Sequence, residues 1–196
     1  MEKVDARVKK TKKRLCDALI GLMQEKRLEH ITVKELCARS GLNRGTFYLH
    51  YQNVFELMQD VEQGLEEGFS QVLLRAPIET LYAGGQKPVL DDVCRYFEEH
   101  AAACRLFLSR GEHTALVERV KRVVRERALA QWRLMYGEDP RYEYAFAFVA
   151  SGCIGMLTLW LEQDTPCSAE EMAQMMEGFI AKAAEAMAPQ TDPKTR

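Results

Sequence analysis

Arg44 can donate two hydrogen bonds to one flat pair of acceptors, and Thr46 carries both a hydroxyl and a methyl; Gly45 between them has no side chain. In the order Asn43-Arg44-Gly45-Thr46 they offer a bidentate donor, a small adaptable contact and a point where backbone can approach closely. That set suits the edge of a nucleic-acid base, because guanine presents two acceptors to an arginine and a thymine methyl takes the apolar side of a threonine. Tyr48, His50 and Tyr51 follow, with hydroxyl and imidazole groups able to reach phosphate oxygens. Phe47, set among them, has only an apolar ring and is expected in a core.

Such residues read bases only if a short helix presents them and a second one braces it. The flanking sequence supplies both. Thr32 and Glu35 form a Thr-x-x-Glu capping box that starts a short helix at Val33, and Gly41 stands where that helix needs a left-handed residue to stop. Asn43 then caps a second short helix beginning at Arg44. Leu36 and Cys37 are expected to pack the bracing helix against an N-terminal helix, whose apolar face is Val8, Leu15, Leu19, Leu22 and Met23. Two short helices joined by a tight glycine turn are a helix-turn-helix.

Charge agrees with that placement. Residues 1–55 hold 12 Lys+Arg against 6 Asp+Glu, whereas residues 56–196 hold 15 against 23. A basic head on an acidic body attracts phosphates at one end and keeps the rest clear of the duplex. Lys12, in the basic run of the first helix, is expected to touch phosphate.

The remainder reads as helix. Asn53 caps a long helix through Phe55, Leu57, Met58, Val61, Leu65 and Phe69, and the Pro- and Gly-bearing stretch 77–88 is a connection. Helices are expected around Asp91–Ala103, at Leu106 and Phe107, from about Thr114 to Tyr136, and over Tyr142–Glu162. Ser168 and Glu171 make a second capping box, opening a last helix to about Met187. The expected class is all-α: a helix-turn-helix domain over 1–52, a helical regulatory and dimerisation domain over 53–188, and a disordered tail over 189–196. In the second domain Phe97, Phe107, Trp132, Tyr136, Tyr144 and Phe148 are candidates for lining a pocket for a small-molecule effector. Gly152 and Gly155, beside Ser151, would let two helices approach closely, with Met156, Leu159 and Trp160 as apolar bulk of a dimer interface.

Other chemistry finds little support. The four histidines fall in separate segments without a nucleophile or carboxylate in a recognisable motif, so no catalysis and no cofactor are expected. His100 and Cys104 lie four apart with Glu98 nearby, but two ligands at helical spacing arise readily by chance and no metal site is expected. The six cysteines form no C-x-x-C pair and read as reduced, small apolar residues. The charged N-terminus has no secretory pattern, and the apolar run 145–161 falls short of a membrane span, so a cytoplasmic protein is expected.

The segment ITVKELCARSGLNRGTFYLHYQNVFELM resembles the DNA-binding signature of the TetR family of bacterial regulators, with the likeness covering roughly residues 8–58. The resemblance implies a homodimer on a double-stranded operator, with Thr32, Arg44, Thr46, Tyr48 and His50 at the DNA surface. It also implies that the last two long helices pair with their twins, and that a small-molecule effector controls a repressor. Gln52 and Val54 stand where members often carry lysines, and the lysines at 9, 10, 12 and 13 offer replacement phosphate contacts. The alternative is a DNA-bound adaptor with the same head and a protein-binding C-terminal surface; an enzyme with a DNA-binding appendage is more remote.

Overall fold

Thr32 and Glu35 cap one another. In the computed structural model, which describes residues 2–75, 87–108 and 115–187, the Thr32 hydroxyl accepts the Glu35 amide at 3.3 Å and the Thr32 amide donates to the Glu35 carboxylate at 3.0 Å. The Lys26 ammonium, 2.5 Å away, and the Thr32 donors hold the Glu35 carboxyl down to about 2. The box opens α2 (Val33–Ser40), which ends at Gly41 with φ 65°, while the Leu42 amide donates back to the Cys37 carbonyl at 3.1 Å. From α1 (Glu2–Met23), the Arg14 guanidinium donates to the Ser40 carbonyl at 2.5 Å and to that of Gly41 at 3.3 Å. The carbonyls left over at the end of α2 are thus tied to the first helix. Asn43 Oδ1 accepts the Thr46 amide at 2.7 Å and starts α3 (Arg44–Tyr48). Asn53 does the same for Glu56 at 3.0 Å, opening α4 (Val54–Arg75).

Gly41 has two reasons to be glycine. Its φ lies in the left-handed region, and a Cβ would sit 2.8 Å from Arg14 Nη2. Gly41→Ala is therefore expected to cost about 1–2 kcal/mol from backbone strain, with displacement of Arg14 added. Urea unfolding followed by circular dichroism would measure it; an unchanged midpoint would mean that the turn adapts without cost.

Residues Met1–Glu67 form one compact unit and Gly68–Arg196 another, so the division falls inside α4 and the helices of the head keep its first half. The core of the first unit is Leu15 and Leu19 from α1, Leu36 from α2, Phe47 from α3 and Leu57 from α4, all fully buried. Each such side chain is worth about 1.5–3 kcal/mol relative to exposure. The five-residue α3 cannot be stable alone, so burial of Phe47 fixes it.

The second unit holds α5 (Lys87–Glu99), α6 (Ala101–Leu108), α7 (Ala115–Tyr136), α8 (Arg141–Glu162) and α9 (Ala169–Met187). Among the described residues no strand occurs, and the all-α class holds. Ser168 and Glu171 cap each other at the start of α9 as the sequence predicts, at 2.9 and 3.2 Å. The helix expected over 91–103 is instead interrupted at His100, with no glycine or proline to announce it. Most of the connection 77–88 and the tail 189–196 lie outside the described residues. Two apolar clusters build the unit: Ala128, Leu129, Trp132, Tyr142 and Phe146 join α7 to α8, and Phe69, Leu73, Val89 and Val93 join the end of α4 to α5. Val124 packs against both. α9 lies along α5 and α8, with Cys94 Sγ 3.8 Å from Met176 Sδ.

Candidate nucleic-acid interface and regulatory cavity

Three interactions hold α3 in place, and its outer edge is left open. Phe47 anchors it, Asn43 caps it, and the α2 turn it follows is pinned by Arg14. Arg44 and Gly45 are exposed, and Tyr48 stands with more than half its surface in solvent. Thr46 is half-buried, its hydroxyl donating to Asn43 Oδ1 at 3.1 Å. That oxygen therefore serves the helix start, and the outward chemistry of this edge belongs to Arg44, Gly45, Thr46 and Tyr48. Thr32 is exposed at the start of α2, with its hydroxyl engaged by Glu35 at 2.8 Å, and His50 is half-buried beside Tyr51. Leu49 is 80% exposed. An apolar side chain in solvent at the end of α3 escaped a reading that assigns such residues to cores.

Two residues expected to face phosphate meet Asp60, Tyr51 from the core and Lys12 from a half-buried position. Lys12 Nζ lies 3.2 Å from both oxygens of Asp60 and 5.3 Å from the centre of the Tyr51 ring. Tyr51 is 3% exposed and donates its hydroxyl to Asp60 at 2.5 Å, and burial raises its pKa well above the ordinary phenol value. Asp60 sits 48 positions after Lys12 and collects both donors. A carboxylate near the core needs such partners, so Lys12 and Tyr51 brace α1 and the end of the helix-turn-helix against α4.

In the second unit a cavity of about 160 Å³ lies among α4, α5, α7, α8 and α9. Phe97 and Trp132 line it, together with Leu73, Val93, Leu157 and Met176. Phe107 is buried but lies outside that lining. Tyr136 ends α7, and its side chain is outside the described ones. Tyr144 and Phe148 are corrections: they stand 80% and 77% exposed, on the outer side of α8. Trp160 is the opposite case. Expected at an interface between chains, it is fully buried within this one, its indole N–H donating to the Cys167 carbonyl at 2.9 Å. An apolar helix carries no polar face to say which way it turns, and the indole settled where an acceptor was within reach.

The outer side of α8 carries Tyr144, Phe148, Gly152, Gly155 and Leu159, all exposed, at spacings of three and four that place them on one stripe. A Cβ at Gly152 or Gly155 would meet nothing within 4 Å. Met156 is half-buried on the flank. On the neighbouring α9, Met175 and Phe179 are exposed as well. Among the described residues no three His, Cys, Asp or Glu side chains converge as a metal site would need. His100 is exposed against Tyr96, whereas Cys104 is buried.

Comparison with known proteins joins these parts. Residues 86–182 match a TetR-type family model described as the transcriptional regulator C-terminal region. The HTH-type transcriptional regulator YxbF of Bacillus subtilis (strain 168) is 24% identical over 168 residues, which is 85% of this chain. The chain spans only 43% of that relative's length. A TetR transcriptional regulator from Streptococcus agalactiae 2603V shares the fold with a TM-score of 0.59 at 19% identity, over 91% of this chain and 98% of its own. The fatty acid degradation regulator FadR from Bacillus halodurans does so with a TM-score of 0.66 at 13% identity, over 87% and 94%. Head, helical body and relatives agree: the chain resembles the TetR family of helix-turn-helix transcription regulators, and the family model covers its residues 86–182.

Proposed function

We propose that the chain is a homodimeric repressor that grips a palindromic operator through α3 and releases it when a small molecule fills the cavity of the second unit. The observation that carries this reading is the outer edge of α3, where Arg44 and Gly45 stand exposed beside the half-buried Thr46 on a helix capped by Asn43 and anchored by Phe47. Arg44 reads guanine, Thr46 a thymine methyl, and Tyr48 with His50 a phosphate or sugar. Leu49 packs on a sugar face or a second thymine methyl.

One short helix reads too few bases for genomic specificity, so a symmetric pair is needed. The stripe on α8 and the apolar residues of α9 are the surface this reading assigns to the pairing. An apolar cavity open on one side favours a metabolite-controlled regulator in the cytoplasm over an adaptor with a solid core. α4 is one continuous helix that gives Asp60 to the head and Phe69 and Leu73 to the cavity wall, so a ligand that moves the wall acts on the helix that braces the head. Selection from a randomised duplex library tests the reading. Recovered sequences are expected to be inverted repeats with half-sites about one helical turn, 34–36 Å, apart; recovery of unrelated sequences, or none, would remove the operator from the account.

A further inference from the structure

We infer that the regulatory cavity selects a small amphipathic carboxylate, its compact apolar body seated by Phe97, Trp132 and Leu157 and its charged head turned to Lys121. The inference rests on the effector reading of that cavity and names the ligand class.

Size comes first. A dry cavity of about 150 Å³ lined by apolar side chains holds one benzene, and this one measures about 160 Å³. The body is therefore a single ring or a chain of similar bulk. The lining comes second. Lys121 is the one charged side chain among the residues lining the cavity, and the others are apolar. Cys153, also in the wall, is pushed up to about 11 by burial, so it stays a neutral thiol and offers the ammonium no counter-charge. Lys121 is mostly covered, and its partner Glu118, three residues earlier on α7, is half in solvent with the oxygen 3.4 Å away. Contact so long, on so exposed an acid, neutralises a covered ammonium poorly.

Lys121, Phe146 and Ala150 also line a polar cleft of about 390 Å³, together with Glu118, Arg122, Arg125, Glu143 and Ser151. Arg125 is taken by Glu143 through contacts of 2.9 and 2.5 Å. Three cations and two carboxylates leave the cleft net positive. A ligand lying across the boundary thus has apolar walls on one side and a cleft with one more cation than carboxylates on the other. An anionic head satisfies both; an amide satisfies the walls alone, and an ammonium is repelled.

Calorimetric titration of the full chain with phenylacetate, phenylacetamide and 2-phenylethylamine holds the ring constant while the head changes charge. Phenylacetate is expected to bind about 10- to 100-fold more tightly than the amide, the range for a hydrogen bond to a charged group, with the amine weakest. Lys121→Met should bring the acid and the amide to within a few-fold, and quenching of Trp132 emission should track the binding. Should the variant unfold, the three ligands on the unaltered chain still decide the matter. Equal affinity for acid and amide would overturn the carboxylate assignment and leave the effector cavity standing. Failure of all three to bind would overturn both.

Discussion

A chain carrying Phe148→Asp is expected to fold, to sediment as a monomer, and to lose operator affinity by about 10²–10⁴-fold, the usual gain from joining two binding sites. Phe148 lies mid-stripe on α8 and is largely exposed, so changing it opens no cavity and removes no core contact. In a two-fold pairing the same surface meets itself, and each aspartate faces apolar surface and the like charge of its twin. The neighbouring Phe146 makes the control, since it is buried with Trp132 and Tyr142 and its loss to alanine should destabilise the fold by about 3–5 kcal/mol. Sedimentation velocity with far-UV circular dichroism separates the two outcomes. A Phe148→Asp chain that remains dimeric would move the interface away from α8.

Arg44→Ala is expected to weaken the best operator by about 1–3 kcal/mol per half-site and to relax base preference at one position of each. The reason is geometric. Arg44 opens α3, its side chain is exposed, and no ion pair to it occurs among the described residues. Its guanidinium can meet the two acceptors of a guanine as a fork, which a lysine cannot copy, so Arg44→Lys should relax the same position. The selection experiment repeated with the variant reads this directly. A uniform loss over all sequences, with the preference intact, would make Arg44 a phosphate contact and assign base reading elsewhere on α3.

What the sequence disclosed and what it withheld follow from the reach of the interactions. Thr32 with Glu35, Asn43 with Thr46 and Ser168 with Glu171 are pairs three residues apart, and Gly41 acts through its own backbone. Local bonds of this kind are written in adjacent letters, so the helix-turn-helix and its presented edge were legible. The Asp60 network was not, because Lys12 and Tyr51 meet it across the fold and either looks equally suited to a phosphate. In α8 a nearly unbroken apolar surface hid which aromatics point inward, and with that the burial of Trp160 and the exposure of Tyr144 and Phe148. The cavity demanded partners from α4, α5 and α9 as well, and only Phe97 and Trp132 among its lining could be named beforehand.

The central claim is that this head holds a duplex by its phosphates and reads it with α3. Affinity for a selected palindrome, measured against salt concentration, tests it most directly. With about 6–10 phosphate contacts per dimer, binding should fall linearly on logarithmic axes and lose about 10³–10⁵-fold between roughly 50 and 200 mM salt. Lys12→Met should leave that slope unchanged, since the Lys12 ammonium is already committed to Asp60. An affinity that does not change with salt would contradict the account, because no counterions would then be leaving the DNA.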